Sequence, residues 1–431
     1  MGSGEHTGYE RSLHDWSTSL QEQADAQRRR RRIRRWLAAA IAAAVLAVGA
    51  IVGWVVVPSI WYNHNVYNKQ YLLGKYETRL GEAAHAQLLA ALPQLQAFVE
   101  HNRGGRFVHP VTMRFLPDDK FYDVWGTPAD VDTKDAVALG FANSKADARH
   151  QLQQLQNIDV PGFYDKRAHV LYIRGQEFDD YAQVILVNAL TQAYDDQHFT
   201  LSKLTTAKGD AFDAASALIE GDAMVVQNAF TETLPLGERC IQLTDSLQTY
   251  DPQCVAAGYN AGRQTQRISK WGLQAETNFP YVVGPRFVRS LISHGGQAEV
   301  DRAFRRPPTT TAQILDPADY FRDVTAAPVS EPLRQAGTQT SYGVLGAMQL
   351  SALVTDGYLG VGDAAYLHGW RGDRAVTYEQ AGRGCLADAV LLTSRSGADA
   401  AAAKVAAWAK RHPRTSSRRT GPLTIELTRC S

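Results

Sequence analysis

The feature that most constrains this chain is an uncharged, apolar run of 22 residues from Trp36 to Val57. A helix of that length spans about 33 Å, which is enough to cross the hydrocarbon core of a bilayer. Aromatic residues at both ends of the run are typical of the two membrane interfaces. The run therefore predicts one transmembrane helix. A cleaved signal peptide fits less well, because the run is too long and ends in Val57 and Pro58 without a small-residue cleavage site.

Seven arginines between positions 28 and 35 directly precede the apolar run. Positive charge flanking a span stays on the cytoplasmic side, so we expect residues 1–35 to form a cytoplasmic basic tail and 36–57 to form the transmembrane helix. The remainder, from residue 58 onward, is then extracytoplasmic. The chain is predicted to be a single-pass protein of the cell membrane with its amino terminus in the cytoplasm.

Net positive charge is confined to the tail. Residues 1–35 carry a net charge of +3 and the whole chain +1, which leaves −2 for the remainder. Proteins that bind nucleic acid present a basic field to the phosphates, and the large portion has none. We expect no nucleic-acid partner, and we interpret the arginine run as a topology signal in preference to a lipid-binding patch.

All four cysteines, Cys240, Cys254, Cys385 and Cys430, lie beyond the apolar run. Disulfides are the default state of cysteines outside the cytoplasm. Four cysteines allow three pairings. We favour Cys240 with Cys254 and Cys385 with Cys430, because each pair falls within one proposed structural unit. Free buried thiols are the alternative.

Changes in residue pattern divide the extracytoplasmic portion into three parts. Residues 58–105 have leucine and alanine at helical spacing, which predicts a stalk helix or a first domain helix. Residues 106–325 combine helical segments with short strand-like runs, of which 169–175 is the clearest. Residues 326–431 begin with a break rich in Pro, Ala and Thr, and then predict a helix, two strands and a further helix. This order is typical of a small α+β unit packed on the preceding part.

One segment of the middle part carries the strongest functional signal. Residues 184–201 read VILVNALTQAYDDQHFTL and resemble the HELTHALQDQHFDL helix of gluzincin-type zinc metallopeptidases of bacteria and archaea. Three further runs support the resemblance: GFYDKRAHVLYI at 162–173, ALIEGDA at 217–223 and PPTTTAQILDPADYF at 307–321. The resemblance implies a mainly helical, metallopeptidase-like (zincin) domain with a small sheet. We therefore expect an α+β protein overall.

The resemblance places the zinc-binding His-Glu-x-x-His motif on Asn188, Ala189, Leu190, Thr191 and Gln192. Zinc is bound by imidazole, thiolate or carboxylate, so the carboxamides of Asn188 and Gln192 are poor ligands even at the correct spacing. Ala189 stands at the general-base position and has no group that takes a proton from a metal-bound water. We expect no catalytic residue, no zinc cofactor and no hydrolysis.

Glu220 stands where the resembling family has its third zinc ligand, on a second helix that faces the first. One carboxylate supplies too few ligands for zinc. We expect Glu220 to be a structural partner that accepts a hydrogen bond from Asn188 or Gln192 in the space of the absent metal. His198 lies off the ligand face, and a buried or capping role is expected for it.

Further acidic residues lie close to this segment in the sequence: Asp195, Asp196, Asp210 and Asp222. The alternating spacing of a calcium loop is absent, so we expect a solvated acidic face there. Candidate residues for lining a substrate groove are Thr191, Asp195, His198 and Asp222. The resemblance also implies that the strand at 169–175 lies beside the motif helix and accepts an extended peptide at its edge.

These observations predict a membrane-anchored, extracytoplasmic pseudo-metallopeptidase that binds or scaffolds a peptide or protein ligand at the cell envelope. The alternative is a divergent metal-dependent peptidase with non-standard ligands, for example Glu220 with Asp222. A third reading is a purely structural fold whose groove is filled by its own side chains. The tripeptide Arg-Gly-Asp at 371–373 is interpreted as part of a turn and is given no adhesion role.

Overall fold

The computed structural model describes residues 82–125, 133–156, 160–174, 178–245, 253–254, 272–333, 337–356 and 367–431. The cytoplasmic tail and the transmembrane helix predicted for 1–35 and 36–57 lie outside these residues. No helix among the described residues is long and apolar enough to span a bilayer. Helices and two sheets make up the described chain, which confirms the α+β class.

Helices dominate the chain up to residue 321. Their bounds are α1 Glu82–Arg103, α2 Asp118–Trp125, α3 Thr133–Leu139, α4 Lys145–Gln156, α5 Asp180–Phe199, α6 Leu201–Leu204, α7 Asp210–Thr231, α8 Leu236–Asp245, α9 Gly272–Val282, α10 Gly284–Gly295, α11 Gln297–Arg305, α12 Thr311–Leu315 and α13 Pro317–Phe321. The two long central helices, α5 and α7, are among the helical segments expected within 106–325.

Helix α5, which contains the metallopeptidase-like motif, has defined ends. The Asp179 carboxylate accepts a hydrogen bond from the backbone N–H of Ala182 and so satisfies a free donor of the first turn. At the other end, Thr200 adopts a left-handed conformation and its N–H bonds to the Asp196 carbonyl. The positions of the motif side chains are therefore fixed by a helix that is capped at both termini.

The first helix, α1, packs against α5. Leu88, Leu95 and Val99 of α1 are buried in the same hydrophobic cluster as Leu186 and Leu190 of α5. Of the two interpretations of residues 58–105, the described part of that segment is a first domain helix and not a free stalk. Burial of apolar side chains along its length contributes roughly 2 kcal/mol for each large residue.

The smaller sheet consists of β1 Met113–Leu116, β2 Gly162–Asp165 and β3 Val170–Arg174, in the order β1-β3-β2. Strand β3 pairs in parallel with β1 and antiparallel with β2. Both of its edges are therefore occupied, and the expectation that the strand at 169–175 offers a free edge was wrong. Among the described strands, β1 and β2 form the two edges of this sheet. Strand β2 packs on α5, with Gly162 close to Leu186.

Helix α7 also crosses α10 at very short range. A Cβ atom added to Gly221 would lie 2.4 Å from the carbonyl carbon of Gly284, and one added to Gly284 would lie 2.3 Å from the Ala217 carbonyl oxygen. Neither position has space for a side chain. The two glycines thus let the helix backbones touch, which fixes α7 between α5 and α10.

The larger sheet is antiparallel and belongs to the carboxy-terminal part. It contains β4 Thr338–Gly343, β5 Trp370–Gln380, β6 Arg383–Leu392, β7 Thr415–Arg419 and β8 Thr424–Cys430 in the order β4-β5-β6-β8-β7, with helices α14 Gly346–Val354 and α15 Arg395–Arg411. The two strands and the two helices predicted for 345–410 are confirmed. One hydrophobic cluster runs from Phe287 of α10 through Met348 to Trp408 and Leu427, so this part shares its core with the helices before it.

Both predicted disulfides are present. Cys240 is joined to Cys254, with Cα atoms 5.3 Å apart, and Cys385 is joined to Cys430, with Cα atoms 4.1 Å apart. The second bridge connects residues that face each other across β6 and β8. It therefore fastens the last strand of the chain to the centre of the larger sheet.

The Arg-Gly-Asp tripeptide lies within β5 and not in a turn, so that interpretation was wrong. Asp373 is buried and accepts hydrogen bonds from the backbone N–H groups of Leu345 and Gly346 and from the Trp370 indole. The first two donors are at the start of α14, where free N–H groups and the helix dipole favour a carboxylate. Asp373 therefore joins α14 to the sheet.

Candidate functional site

Three side chains from α5 and α7 meet at the position where the resembling family binds zinc. The Gln192 Nε2 group donates to Asn188 Oδ1 and to Glu220 Oε2, both at 2.9 Å. Residues at i and i+4 share one helix face, so Asn188 and Gln192 point together toward α7. The predicted contact between an amide of α5 and the Glu220 carboxylate is present.

A lysine that the sequence analysis did not single out completes this cluster. Lys166 directly follows β2, and its Nζ lies 2.9 Å from Glu220 Oε1, with the two side chains 22% and 12% exposed. Each carboxylate oxygen of Glu220 therefore has its own donor, an ammonium on one side and a carboxamide on the other. The GFYDKRAHVLYI run contains Lys166, but nothing local indicates a partner 54 residues away.

Three consecutive residues of α7 face three different neighbours. Glu220 points to the amides of α5, Gly221 contacts Gly284 of α10, and Asp222 contacts Arg103 of α1. Successive residues of an α-helix are rotated by about 100°, which separates these directions. A single turn of α7 thus holds the polar cluster in place relative to three other helices.

Two further side chains border the polar cluster. Asn188 Nδ2 lies 3.4 Å from the sulfur of Met224 on α7. The negative charge of Glu220, together with desolvation, raises the pKa of Tyr281, whose side chain is 37% exposed. Tyr281 therefore stays a neutral hydroxyl near Glu220. Together with Lys166 it gives the cluster a partly exposed polar border.

Ala189, at the general-base position, does not face the polar cluster. It is 2% exposed and belongs to the hydrophobic cluster that also contains Leu95 and Val187. Residue 189 is rotated by about 100° from residue 188, which turns its side chain into the core. A glutamate here would have to bury its carboxylate among apolar groups.

The expectation of a solvated acidic face was wrong, because all four aspartates are buried: Asp195, Asp196, Asp210 and Asp222. Asp195 and Asp222 lie around the buried guanidinium of Arg103. Arg103 Nη2 is 2.8 Å from Asp195 Oδ1, and Nε is 3.0 Å from Asp222 Oδ2. Neither carboxylate lines a groove as predicted. Their burial depends on an arginine 92 residues before Asp195, which no local pattern indicates.

The other two aspartates connect separate elements. Asp196 accepts hydrogen bonds from the Tyr164 hydroxyl of β2, at 2.7 Å, and from the backbone N–H of Leu201, also at 2.7 Å. Asp210 accepts from the backbone N–H and the hydroxyl of Thr311. Burial raises the pKa of Asp210 to about 8, against the effect of these hydrogen bonds. Both carboxyl groups are structural.

The remaining groove candidates are also placed differently from the prediction. Thr191 is fully buried and donates to the Val187 carbonyl at 2.8 Å. His198 is exposed, so of the buried or capping role expected for it only the capping contact is present. Its Nδ1 lies 2.8 Å from the Tyr194 carbonyl in the last turn of α5, and its ring stacks on the Tyr194 ring. This is a local, capping contact at the end of the helix.

The cluster of Asn188, Gln192, Glu220 and Lys166 does not fit zinc. A zinc site needs three or four imidazole, thiolate or carboxylate ligands, and here one carboxylate is available and is already paired with an ammonium. Among the described residues no group of three or more His, Cys, Asp or Glu side chains has metal-binding geometry. Comparison of the chain with protein-family models, curated proteins and solved structures gives no match.

Proposed function

We propose that the chain is a membrane-anchored pseudo-metallopeptidase, a degenerate gluzincin with a zincin-like fold that binds a peptide or protein ligand outside the cytoplasm and does not hydrolyse it. One observation carries the proposal. The cluster at the zinc position is internally satisfied, because Gln192 and Lys166 together occupy both oxygens of Glu220. A water nucleophile has neither a metal nor a general base at this position.

The ammonium of Lys166 stands in for the charge of the metal. A buried or half-buried carboxylate requires a positive or hydrogen-bonding partner, and removal of one leaves an unpaired group that costs about 1–3 kcal/mol. Lys166 and Gln192 meet this requirement without a metal. The loss of both imidazoles is therefore compatible with a stable fold, which supports a retained scaffold without catalysis.

The ligand surface we propose is the free edge of β2. The hydrogen bond from Arg174 N–H to the Pro161 carbonyl fixes the alternation of the β2–β3 pair, so Gly162 and Tyr164 direct their N–H and C=O groups away from β3. No described residue hydrogen-bonds to these outward groups; Gly162 and Tyr164 are buried, so pairing with a peptide requires the neighbouring chain to move aside. Strand β2 ends beside Lys166, so an extended peptide paired with this edge would run toward the polar cluster.

Membrane anchoring through 36–57 forms part of the same proposal, and its support is the charge-free run after seven arginines. The full chain should remain in the membrane pellet after alkaline extraction. A variant with two central residues of the run, Val45 and Leu46, changed to Arg should lose that fraction, since each central arginine costs about 3 kcal/mol. Release of the unchanged chain by alkali would contradict the anchor.

Peptide binding and hydrolysis are separated by one assay on the full chain in detergent, with fluorescein-labelled casein peptides as the probe. We expect saturable binding that resists a chelator, and no new fragments with or without added zinc, cobalt or manganese. The same peptides methylated at alternate backbone nitrogens should bind at least tenfold more weakly, because they cannot pair with a strand edge. Chelator-sensitive cleavage would instead establish the divergent metal-dependent peptidase.

A further inference from the structure

A second buried polar cluster, separate from the residues at the zinc position, surrounds Arg103 at the end of α1. Arg103, Asp195 and Asp222 are 2%, 0% and 1% exposed. The guanidinium lies within 3.0 Å of both aspartates, and its Nη2 also lies 3.2 Å from Asp301 of α11, whose side chain is 33% exposed. The Tyr194 and Phe304 rings cover the guanidinium, with centroids 5.4 and 5.7 Å away.

The formal charges of Arg103, Asp195 and Asp222 do not sum to zero when both aspartates are ionised. Two ionised aspartates beside one guanidinium leave a net negative charge in a region closed to water, which is strongly unfavourable. Hydrogen bonds are also incomplete. Among the described residues, Asp195 Oδ2 is buried and lacks a hydrogen-bond partner, while Asp222 Oδ2 has only its ion-pair contact with Arg103 Nε at 3.0 Å. Buried polar atoms without a partner are rare in folded proteins and need an explanation.

We propose that Asp195 and Asp222 share one proton, so that one carboxyl group donates an O–H···O hydrogen bond to the other. This proton gives Asp195 Oδ2 a partner and brings the net charge of Arg103 and the two aspartates to zero. Asp301 lies at the partly exposed rim and keeps its own charge. The proton comes from solvent and returns to solvent when it is lost, and no other reactant is involved.

The electrostatic surroundings agree with a shared proton. Burial raises the pKa of Asp195 well above its ordinary value of 3.8 and also raises that of Asp222; the positive charge of Arg103 opposes both shifts. Both carboxyl groups also reach the same nitrogen, since Arg103 Nε lies 2.9 Å from Asp195 Oδ1 and 3.0 Å from Asp222 Oδ2. The charged or titratable groups packed around the pair are Glu100 and Arg103 of α1, Tyr194 of α5, and Asp301 and Arg305 of α11. Arg103 is the one cation among them that touches the pair.

The shared proton has a mechanical consequence, because the cluster ties α1 to α5, α7 and α11. Loss of the proton leaves two adjacent carboxylates with one guanidinium between them, and their repulsion weakens this junction. The end of α1 is therefore held most firmly when the pair is protonated. We infer a pH-sensitive attachment of α1, firm under acidic conditions and loosened as the pH rises. This inference is independent of whether the zinc position binds peptide.

The test compares Asp195→Asn with the unchanged full chain. The asparagine amide can donate to Asp222 in the same geometry, but it has no proton to lose. The Tm of both proteins is measured from about pH 5 to about pH 9 at fixed salt. A carboxyl group with a raised pKa stabilises the fold at acidic pH and loses that contribution as the pH increases. The Tm of the unchanged chain minus that of the variant should therefore fall by on the order of 2 °C per pH unit.

Two parallel variants keep the test decisive. Asp222→Asn should show the same trend, because either amide can donate to the remaining carboxylate. Asp301→Asn is the matched control: it removes a carboxylate from the same guanidinium but not from the shared pair, and its Tm difference should stay constant with pH. A constant difference for Asp195→Asn and Asp222→Asn would overturn the proposal. Failure of both to fold at acidic pH, where the amide replaces the protonated acid, would also overturn it.

Discussion

At the scale of single residues, hydrogen bonds fill the position where the proposal places the lost metal ion. Gln192 donates to both Asn188 and Glu220, and Lys166 neutralises the carboxylate. Amide and ammonium groups pair with a carboxylate as well as a metal ion does, but they do not bind and acidify a water molecule. Under the proposal, the site has lost its metal chemistry and kept the i and i+4 spacing of its side chains.

Gln192→Ala tests the role of the bridging amide. It leaves the Asn188 carbonyl and one Glu220 oxygen without a donor, so we expect a loss of about 1–3 kcal/mol in the free energy of unfolding. The matched control is Gln183→Ala on the same helix, where the side chain donates to the half-buried Asp180 of the first turn at 3.2 Å and the change should stay within about 0.5 kcal/mol. Urea titrations of both variants provide the measurement. Equal effects would contradict the bridging role.

At the scale of elements, the local sequence predicted the main helices and strands but not their neighbours. Helical spacing was sufficient to place α5 and α7, and alternating apolar runs were sufficient for β5 and β6. The environment of β3 depends on β1, a partner far away in the sequence. The same applies to Arg103, whose partners are on α5, α7 and α11. Long-range pairing of this kind leaves no periodic trace in a single sequence.

Burial explains the errors about acidic residues. An aspartate followed by another aspartate, as at Asp195 and Asp196, usually indicates a solvated helix face. Here the first is neutralised by Arg103 and the second accepts from Tyr164 and Leu201. Whether such partners exist is decided by tertiary packing. The predicted contact between an amide of α5 and Glu220 is present, and the shared direction of Asn188 and Gln192 follows from i and i+4 spacing, which is a local property.

The crossing of α7 and α10 gives a prediction at the scale of elements. Alanine normally stabilises a helix by about 1 kcal/mol relative to glycine. Gly221→Ala should nevertheless destabilise the protein, by about 2–4 kcal/mol, because the new Cβ would lie 2.4 Å from the backbone of Gly284. The comparison is Gly295→Ala in α10, whose nearest neighbour is the Glu299 side chain at 3.3 Å. Stabilisation by both substitutions in urea titration would refute the close crossing.

At the scale of the whole molecule, buried acids are distributed through the shared core. Burial raises the pKa of Asp210 and Glu276 to about 8, of Asp213 to about 7 and of Asp373 to about 6. The folded state therefore binds protons that the unfolded chain releases above its ordinary carboxyl pKa. Each such group stabilises the fold at acidic pH and loses that contribution as the pH rises through its folded value.

The free energy of unfolding should consequently decrease between about pH 6 and about pH 8. Urea titrations of the full chain at fixed ionic strength measure this. Asp210→Asn should flatten part of the decrease, because the amide oxygen still accepts from Thr311 but the group no longer titrates. A free energy of unfolding that is constant or increases over this interval would contradict the assignment of raised pKa values.

The disulfide between Cys385 and Cys430 stabilises the molecule through its unfolded state. It closes a loop with a sequence separation of 45 residues, for which loop entropy gives about 4 kcal/mol. Replacing both cysteines by serine should lower the free energy of unfolding by an amount approaching this value. The bridge between Cys240 and Cys254, with a separation of 14, should contribute about 3 kcal/mol. A larger loss from the shorter loop would contradict the entropic account.

The most direct test of the central claim is the zinc content of four forms of the full chain: unchanged, Lys166→Met, Asn188→His with Gln192→His, and all three substitutions together. Ala189 is left in place because it is buried in the core. Two imidazoles and a freed Glu220 form a three-ligand set. We predict one zinc per chain only in the triple variant, and at least tenfold weaker binding while Lys166 remains. One tightly bound zinc in the unchanged chain, or none in a folded triple variant, would contradict the account.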